Sequence, residues 1–246
     1  MVPDGAGSPE AVLAALRIAD AGDVDTPDGV QGQARAARAA AEAAARSRLL
    51  MVLGGDNAAT VAAAVGIWGE RIGTAGLVTL DAHLDLRDGV SNGSPVRRLI
   101  EAGLDGRRVV QVGIADFVNS AEYHARAVEL GITVIHRDEL YRRPVAEVMA
   151  EALEIAAAAG GPVHVDLDVD VCDRSVAPAC PASVPGGLAA HELRAAGAHP
   201  AAHSVAHSVD LTEIDATADA PDERTVRLAA LCVLEVAAGL ARRGPA

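Results

Sequence analysis

Residues 76–85 read GLVTLDAHLD, and this stretch sets both the expected fold and the expected place of the functional site. Its first half, Gly76–Leu80, is a short apolar run with β-branched residues, which is typical of a buried strand. Its second half alternates, so Asp81, His83 and Asp85 project from the same side if the chain stays extended. The stretch therefore predicts a strand that ends in a cluster of acidic and imidazole side chains.

Similar apolar runs recur along the chain, and Ala-rich stretches of helical character separate them. Such alternation favours a mostly parallel sheet covered by helices on both faces. The expected fold is an α/β three-layer αβα sandwich, and we interpret residues 1–246 as one domain. Polar segments 21–32 and 178–187 are expected loops. We predict strands at 49–53, 76–80, 108–112, 132–135, 163–167 and 205–211, and helices at 32–47, 57–66, 94–103, 119–130, 144–159, 188–196 and 223–242.

Charge and composition exclude several classes of protein. The formal net charge is −13, so the chain has no basic field with which to hold nucleic acid or an anionic membrane. All 21 basic residues are arginine, which rules out a lysine Schiff base and a phosphate-loop lysine. No apolar run reaches the roughly 18 residues that a membrane-spanning helix needs.

The cysteines and the N-terminal residues indicate the expected compartment. Cys172, Cys180 and Cys232 are odd in number and contain no C-x-x-C pair, so a disulfide framework is not expected. Residues 1–10 lack the basic and apolar segments of a signal peptide. A cytoplasmic protein that binds a small molecule is therefore expected.

A second pair of carboxylates, Asp166 and Asp168, repeats the alternate spacing at the end of another predicted strand. Ligands of parallel α/β sheets bind beyond the carboxyl ends of the strands, where both motifs fall. The two motifs hold four carboxylates and one imidazole, and like charges in a cleft raise one another's pKa unless cations are present. Such ligands suit Mn²⁺, and two ions can share carboxylates and activate water. The pattern predicts a two-manganese hydrolytic centre.

Other interpretations of these aspartates are weaker. An isolated aspartate at a strand end is often a helix cap or a turn former, but two such motifs in one chain favour a site. Residues 166–173 hold four aspartates that superficially resemble a calcium loop, yet Val171 stands where that loop needs glycine.

With these motifs in view, the chain resembles the ureohydrolase superfamily, which includes arginase, agmatinase and formimidoylglutamase. The resemblance runs from about residue 8 to the C-terminal helix and implies an arginase-like fold. The residues that carry it are GGDN at 54–57, which resembles the family's GGDH, DAHLD at 81–85, DLDV at 166–169 with AP at 177–178 and PGGL at 185–188, and SVDLTEI at 208–214.

Two details resemble the formimidoylglutamase branch of that superfamily. DAHLDLR at 81–87 precedes NGSP at 92–95, and QVGI at 111–114 precedes FVNS at 117–120. Arginases and agmatinases usually carry histidine at the position of Asn92, so a guanidino substrate is less expected. The implied activity is metal-dependent hydrolysis of a linear amidine, N-formimidoyl-L-glutamate, to L-glutamate and formamide in histidine degradation. An agmatinase or guanidinobutyrase that releases urea is the alternative.

The resemblance also implies roles for individual residues. Asp85 would orient the attacking hydroxide, and Glu213 would pair with the cationic formimidoyl group. Asn92, Arg97 and Arg98 lie where the amino-acid end of the substrate is expected, although a solvated helix face is an equal alternative for the two arginines. The implied manganese ligands are Asp81, His83, Asp85, Asp166, Asp168 and Asn57.

Two departures from the family pattern bear on activity. Asn57 stands where the family commonly has a metal-binding histidine, and an amide oxygen is the weaker ligand, so one manganese is expected to bind weakly. A degenerate, non-catalytic member is the further alternative. Residues 8–12 resemble a point well inside the family's N-terminal region, so the chain is expected to lack the first strand and loop, which we interpret as a misassigned start codon. The resemblance further implies a homo-oligomer, either a trimer or a hexamer.

Overall fold

The computed structural model describes Ala14 and residues 16–243, so the segment 8–12 lies outside the described residues. Within this part of the chain, six strands form one sheet in the order β1-β6-β5-β2-β3-β4. Every neighbouring pair is parallel, which confirms the predicted parallel sheet. The strands are β1 (Leu50–Leu53), β2 (Gly76–Leu80), β3 (Val109–Ile114), β4 (Thr133–His136), β5 (Val163–Asp168) and β6 (Ala206–Thr212).

Helices cover both faces of this sheet. The first four contribute to one apolar core and the last three to another, on the opposite face. No helix among the described residues is long and apolar enough to cross a membrane. The helices are α1 (Gly29–Ala44), α2 (Ala59–Trp68), α3 (Pro95–Glu101), α4 (Ala121–Glu129), α5 (Val145–Ala156), α6 (Ala190–Ala201) and α7 (Arg224–Ala241).

Strand β2 shows why the apolar runs of the sequence become central strands. Its side chains alternate between the two faces of the sheet. Leu77 belongs to the core that contains Trp68 of α2, whereas Val78 and Leu80 belong to the core that contains Met149 of α5. All five residues of β2 are buried. A strand that is covered on both faces must be apolar on both, and the predicted αβα sandwich is confirmed.

All seven predicted helices are present with shifted boundaries, and the shifts in α1 and α6 have consequences for packing. Helix α1 begins at Gly29, inside the segment 21–32 predicted as a loop. Helix α6 continues to Ala201 instead of ending at 196, and Gly197 lies within it. A β-carbon at Gly197 would lie 3.2 Å from Val236 and 3.3 Å from Leu167. Close packing of α6 against its neighbours therefore favours glycine at position 197. From sequence alone, the same glycine suggests the end of the helix.

Candidate metal centre and active site

The carboxyl ends of four adjacent strands bring distant polar residues to one edge of the sheet. Strands β1, β6, β5 and β2 are neighbours in that order and run parallel. Parallel strands end at a common edge, which is where ligands bind in such sheets. The polar residues at or just beyond these ends are Asn57 after β1, Glu213 after β6, Asp168 at the end of β5 and Asp81 after β2.

Asp81, His83 and Asp170 form the tightest group at this edge. One oxygen or nitrogen atom from each lies within 4.8 Å of those of the other two. His83 Nδ1 is 2.6 Å from Asp170 Oδ2 and 3.5 Å from Asp81 Oδ1. Both carboxylates are buried, while His83 is partly exposed to the cleft. Two carboxylates and an imidazole at this spacing suit one transition-metal ion.

Asn57 lies against the carboxylates of Asp81 and Asp85, with its amide nitrogen directed at them. Its Nδ2 donates to Asp85 Oδ2 at 2.8 Å and to Asp81 Oδ2 at 3.5 Å. Its Oδ1 accepts hydrogen bonds from the hydroxyl groups of Thr60 at 2.8 Å and Thr212 at 3.2 Å. In this orientation Asn57 is a hydrogen-bond donor to the site. To serve as the predicted ligand, its amide would have to turn over and give up both threonine bonds.

The sequence predicts Asp166 as a manganese ligand, but its carboxylate accepts hydrogen bonds from two threonines. Thr79 Oγ1 donates to Asp166 Oδ2 at 2.8 Å, and Thr212 Oγ1 donates to its other oxygen at 3.4 Å. Burial, with the neighbouring charge of Asp210, raises the pKa of Asp166. Asp166 does not line the cleft, whereas the two following alternate positions, 168 and 170, do. The pair with ligand spacing is therefore Asp168 and Asp170, and Asp170 is missing from the sequence prediction.

A change of backbone conformation accounts for this shift. Strand β5 ends at Asp168, and Val169–Val171 form one turn of 3-10 helix. The Asp168 carboxylate caps that turn by accepting from the Asp170 backbone N–H at 2.8 Å. Asp170 Oδ1 in turn accepts from the Ala82 N–H at 2.9 Å, which ties it to the segment after β2. Asp168 and Asp170 have the same spacing in the sequence as Asp166 and Asp168. Only the position at which β5 ends distinguishes the two pairs.

A small cleft lies at this edge of the sheet. Glu213 lies at the cleft and is oriented by two donors, the Asn57 backbone N–H at 2.9 Å and Asn92 Nδ2 at 3.3 Å, both to Oε1. The described residues that line the cleft are His83, Asp85, Arg87, Asn92, Gly93, Asp168, Asp170, Ala182 and Glu213.

The two arginines that the sequence suggests for substrate binding do not line this cleft. Arg97 Nε donates to the carbonyl oxygen of Arg87 at 2.6 Å, and its guanidinium also bonds Gly89 and Glu101. Arg98 donates to Gln33 of α1. Arg97 therefore braces the loop after β2, and Arg98 joins α3 to α1. Arg87, which the sequence prediction omits, lines the cleft in their place.

Two residues of the site have left-handed backbone conformations, which residues other than glycine rarely adopt. Asp85 has a φ of 50° and Glu213 a φ of 63°. Such left-handed residues persist only where the surrounding structure determines them, and they occur often at functional sites. Both residues line the cleft, and each lies in the segment that follows a strand.

The site concentrates negative charge that the described side chains do not neutralise. Burial and the nearby Asp170 raise the pKa of Asp81 and of Asp168 well above the usual range. Burial, with the charge of Asp170, raises the pKa of Asp85 to about 7. The hydrogen bond to Asp170 raises the pKa of His83. Bound cations would reverse these shifts, and hard carboxylate oxygens with one imidazole are the donor set that suits Mn²⁺.

Comparison with known proteins identifies the family of the chain. Residues 5–239 match the Arginase family. A formimidoylglutamase of Halalkalibacterium halodurans is 33% identical over 92% of this chain and 73% of its own length. A formimidoylglutamase of Bacillus subtilis is 32% identical over 77% of this chain, which spans 60% of that relative. Its crystal structure superimposes with a TM-score of 0.82 over 91% of this chain and 71% of that one, at 28% identity.

A more distant structure supports the fold. A Trypanosoma cruzi formiminoglutamase solved with Mn²⁺ has a TM-score of 0.85, at 22% identity, over 94% of this chain and 78% of that one. The fold and the carboxylate–histidine cluster together define an arginase-like α/β protein of the hydrolase class. The chain belongs to the Arginase family, and its similarity to formimidoylglutamases supports an enzyme that hydrolyses carbon–nitrogen bonds of amidines.

Manganese binding distinguishes the ligand pair Asp166 and Asp168, predicted from sequence, from the pair Asp168 and Asp170. We expect Asp170→Asn to weaken manganese binding by more than about 100-fold, because loss of an outer partner of a metal site costs roughly 10–100-fold and loss of a ligand costs more. Asp166→Asn should stay within that range. Calorimetric titration of chelator-treated protein with Mn²⁺ measures both, with circular dichroism to confirm folding. A larger loss in Asp166→Asn than in Asp170→Asn would restore the prediction from sequence.

The stability of metal-free protein should fall as pH rises. The pKa of Asp85 is about 7 in the folded protein, against an ordinary value of 3.8. Between these two pKa values the folded protein keeps a proton on Asp85 that the unfolded chain has released. The contribution of this proton to stability is complete below the ordinary pKa and is lost as pH rises through the folded pKa. We expect the Tm of chelator-treated protein to be several degrees lower near pH 8 than near pH 5. Saturating Mn²⁺ should raise the Tm more at the higher pH.

A thermal melt at both pH values, with and without chelator, tests this expectation. Asp85→Asn should reduce the difference, since the amide cannot titrate. Equal Tm values for the chelated protein at both pH values would contradict the expectation.

Proposed function

We propose that this chain is a manganese-dependent hydrolase of linear amidines, and that N-formimidoyl-L-glutamate is its substrate. One observation carries the proposal: Asp81, His83 and Asp170 converge beside a cleft, which His83 and Asp170 line together with Asp85, Asp168 and Glu213. The similarity to two formimidoylglutamases supports this choice of substrate. The agmatinase or guanidinobutyrase alternative and the non-catalytic alternative are outcomes of the experiment below.

In the proposed complex, one group of residues holds metal and another holds the amidine. Asp81, His83, Asp168 and Asp170, with Asp85, would hold two manganese ions. Manganese supplies positive charge to these carboxylates and lowers the pKa of coordinated water. Glu213, whose Oε1 is held by Asn57 and Asn92, offers its carboxylate to the cationic formimidoyl group.

The proposed reaction is a hydrolysis in which the atoms of one water molecule are divided between two products. The oxygen of water adds to the amidine carbon, and Asp85 accepts its proton. The bond from that carbon to the glutamate nitrogen then breaks, and the proton held by Asp85 passes to the leaving nitrogen. The products are formamide and L-glutamate.

The weaker of the two manganese sites is proposed to be the one beside Asn57. Asn57 directs Nδ2, which has no lone pair for a metal, at Asp81 and Asp85. Asn57→His would place an imidazole nitrogen there, so we expect the occupancy of the weaker site to rise several-fold at limiting Mn²⁺. Elemental analysis after dialysis measures the ratio of manganese to protein.

A matched control is Gln31→His, which adds an imidazole on the exposed surface of α1. Its manganese content should equal that of the unmodified chain. An unchanged ratio in Asn57→His would count against a weak site at this position.

Product analysis tests the proposed function directly. Purified protein loaded with Mn²⁺ should release formamide from N-formimidoyl-L-glutamate, chelator should stop the release, and added manganese should restore it. Asp85→Ala should reduce turnover to background, because it removes the proton acceptor. Urea released from agmatine or 4-guanidinobutyrate instead would replace the proposed substrate with that of the alternative. No product from folded, manganese-loaded protein would favour the non-catalytic alternative.

We further propose that the protein is a cytoplasmic homo-oligomer. Cys172, Cys180 and Cys232 are free and buried, in agreement with a reducing cytoplasm. Cell fractionation with an antibody to this chain would test the location. The homo-oligomer, predicted as a trimer or a hexamer, is tested by sedimentation velocity, in which a single monomeric species would contradict it.

A further inference from the structure

The cleft contains one arginine among its described lining residues, Arg87, and this residue has no role in the chemistry above. Four of the other lining residues are carboxylates. The proposed manganese ions would neutralise Asp85, Asp168 and Asp170, whereas Glu213 would still repel an anionic group that had no positive partner in the cleft. A guanidinium at this position therefore alters which ligands the cleft accepts.

The backbone of Arg87 is held at both its polar groups, whereas its side chain is not engaged. The Arg87 N–H donates to the Gly93 carbonyl at 3.1 Å, and the Arg87 carbonyl accepts from Arg97 Nε at 2.6 Å. Among the described residues, no carboxylate or carbonyl accepts a hydrogen bond from the Arg87 guanidinium. Arg97 differs, because its guanidinium bonds Gly89 and Glu101. Arg87 thus presents unused donors from a fixed point of the chain.

Gly93 determines where the Arg87 side chain can lie. A β-carbon at position 93 would lie 2.7 Å from Arg87 Cδ and 2.9 Å from its Nε. The side chain of Arg87 therefore crosses the bare backbone of Gly93, and both residues line the cleft. Any larger residue at position 93 would move the guanidinium.

We propose that Arg87 binds a carboxylate of the substrate and thereby selects amidines that carry a carboxylate. A guanidinium offers two parallel N–H donors that match the two carboxylate oxygens. Glu213 receives the cationic end of the same molecule, so the cleft recognises a substrate with opposite charges at its two ends. This inference rests on the proposed hydrolysis of amidines for its kinetic test and adds the residue that determines specificity.

The kinetic test compares two amidines that differ in their carboxylates. N-formimidoyl-L-glutamate carries carboxylates, and N-butylformamidine carries none. We expect Arg87→Gln to lower the ratio of their kcat/KM values by about 30-fold, in the range for a lost hydrogen bond to a charged group. Arg87→Lys should lower the ratio less, because it keeps the charge and loses only the paired geometry. An unchanged ratio in Arg87→Gln would overturn the proposal.

Two further variants separate carboxylate binding from loss of charge or structure. Arg107→Gln removes the same charge from an exposed arginine that pairs with Asp105 outside the cleft, and its ratio should match that of the unmodified chain. Gly93→Ala retains Arg87 but displaces its guanidinium, and it should lower the ratio as well. Equal falls of both kcat/KM values in Arg87→Gln would indicate a structural role and would refute specificity.

A binding measurement keeps the inference distinct from the proposed function. If the unmodified chain hydrolyses neither amidine, the proposed function fails. Titration calorimetry with L-glutamate then tests the carboxylate site, with n-butylamine as the ligand that lacks a carboxylate. Glutamate binding that Arg87→Gln weakens about 30-fold, with Arg107→Gln unaffected, would support the carboxylate site. Absence of glutamate binding, or equal binding by Arg87→Gln and the unmodified chain, would overturn it.

Discussion

Mutual repulsion among buried carboxylates at one edge of the sheet is the constraint on which the rest of the structure depends. Asp81, Asp85 and Asp168 are each raised in pKa by burial, and each is raised further by the charge of Asp170. A fold can hold such groups together only if it is rigid and if a cation or protons neutralise them. The parallel sheet supplies the rigidity, because strand ends from distant parts of the chain are fixed by ladders on both sides.

Much of the polar structure around the cleft serves to hold one short segment in place. Gln111 of β3 donates from Nε2 to the Leu84 carbonyl at 2.9 Å. Asn119 accepts from the Leu84 N–H at 2.9 Å and donates to the Ala82 carbonyl at 2.9 Å. These bonds satisfy buried backbone groups that leave the sheet after β2. They also fix the positions of His83 and Asp85, which lie on either side of Leu84.

The cleft has opposite charges at different places, and this polarity follows from how each side chain is engaged. Glu213 is fixed by the Asn57 backbone N–H and by Asn92, so its carboxylate has one orientation. Arg87 has a fixed backbone and a side chain free of hydrogen bonds to described residues. The Asn57 amide is held by Thr60 and Thr212, which directs its donors at the carboxylates. Asn57 thus helps to orient the Glu213 carboxylate through its backbone and contacts Asp81 and Asp85 through its side chain.

The sequence by itself determined the layers of the fold and the edge of the sheet where the polar side chains converge, because local patterns encode both. Short apolar runs with β-branched residues predicted the six strands, and DAHLD at 81–85 predicted the edge where carboxylates and an imidazole converge. The tertiary structure decided between Asp166 and Asp170, since the end of β5 and the turn Val169–Val171 determine which aspartates face the cleft. It also decided that Arg87 and not Arg97 lines the cleft, because Arg97 bonds the loop itself. The physical reason is that spacing along a chain indicates which residues share a side only while the backbone stays regular, and both decisions fall where the strands end.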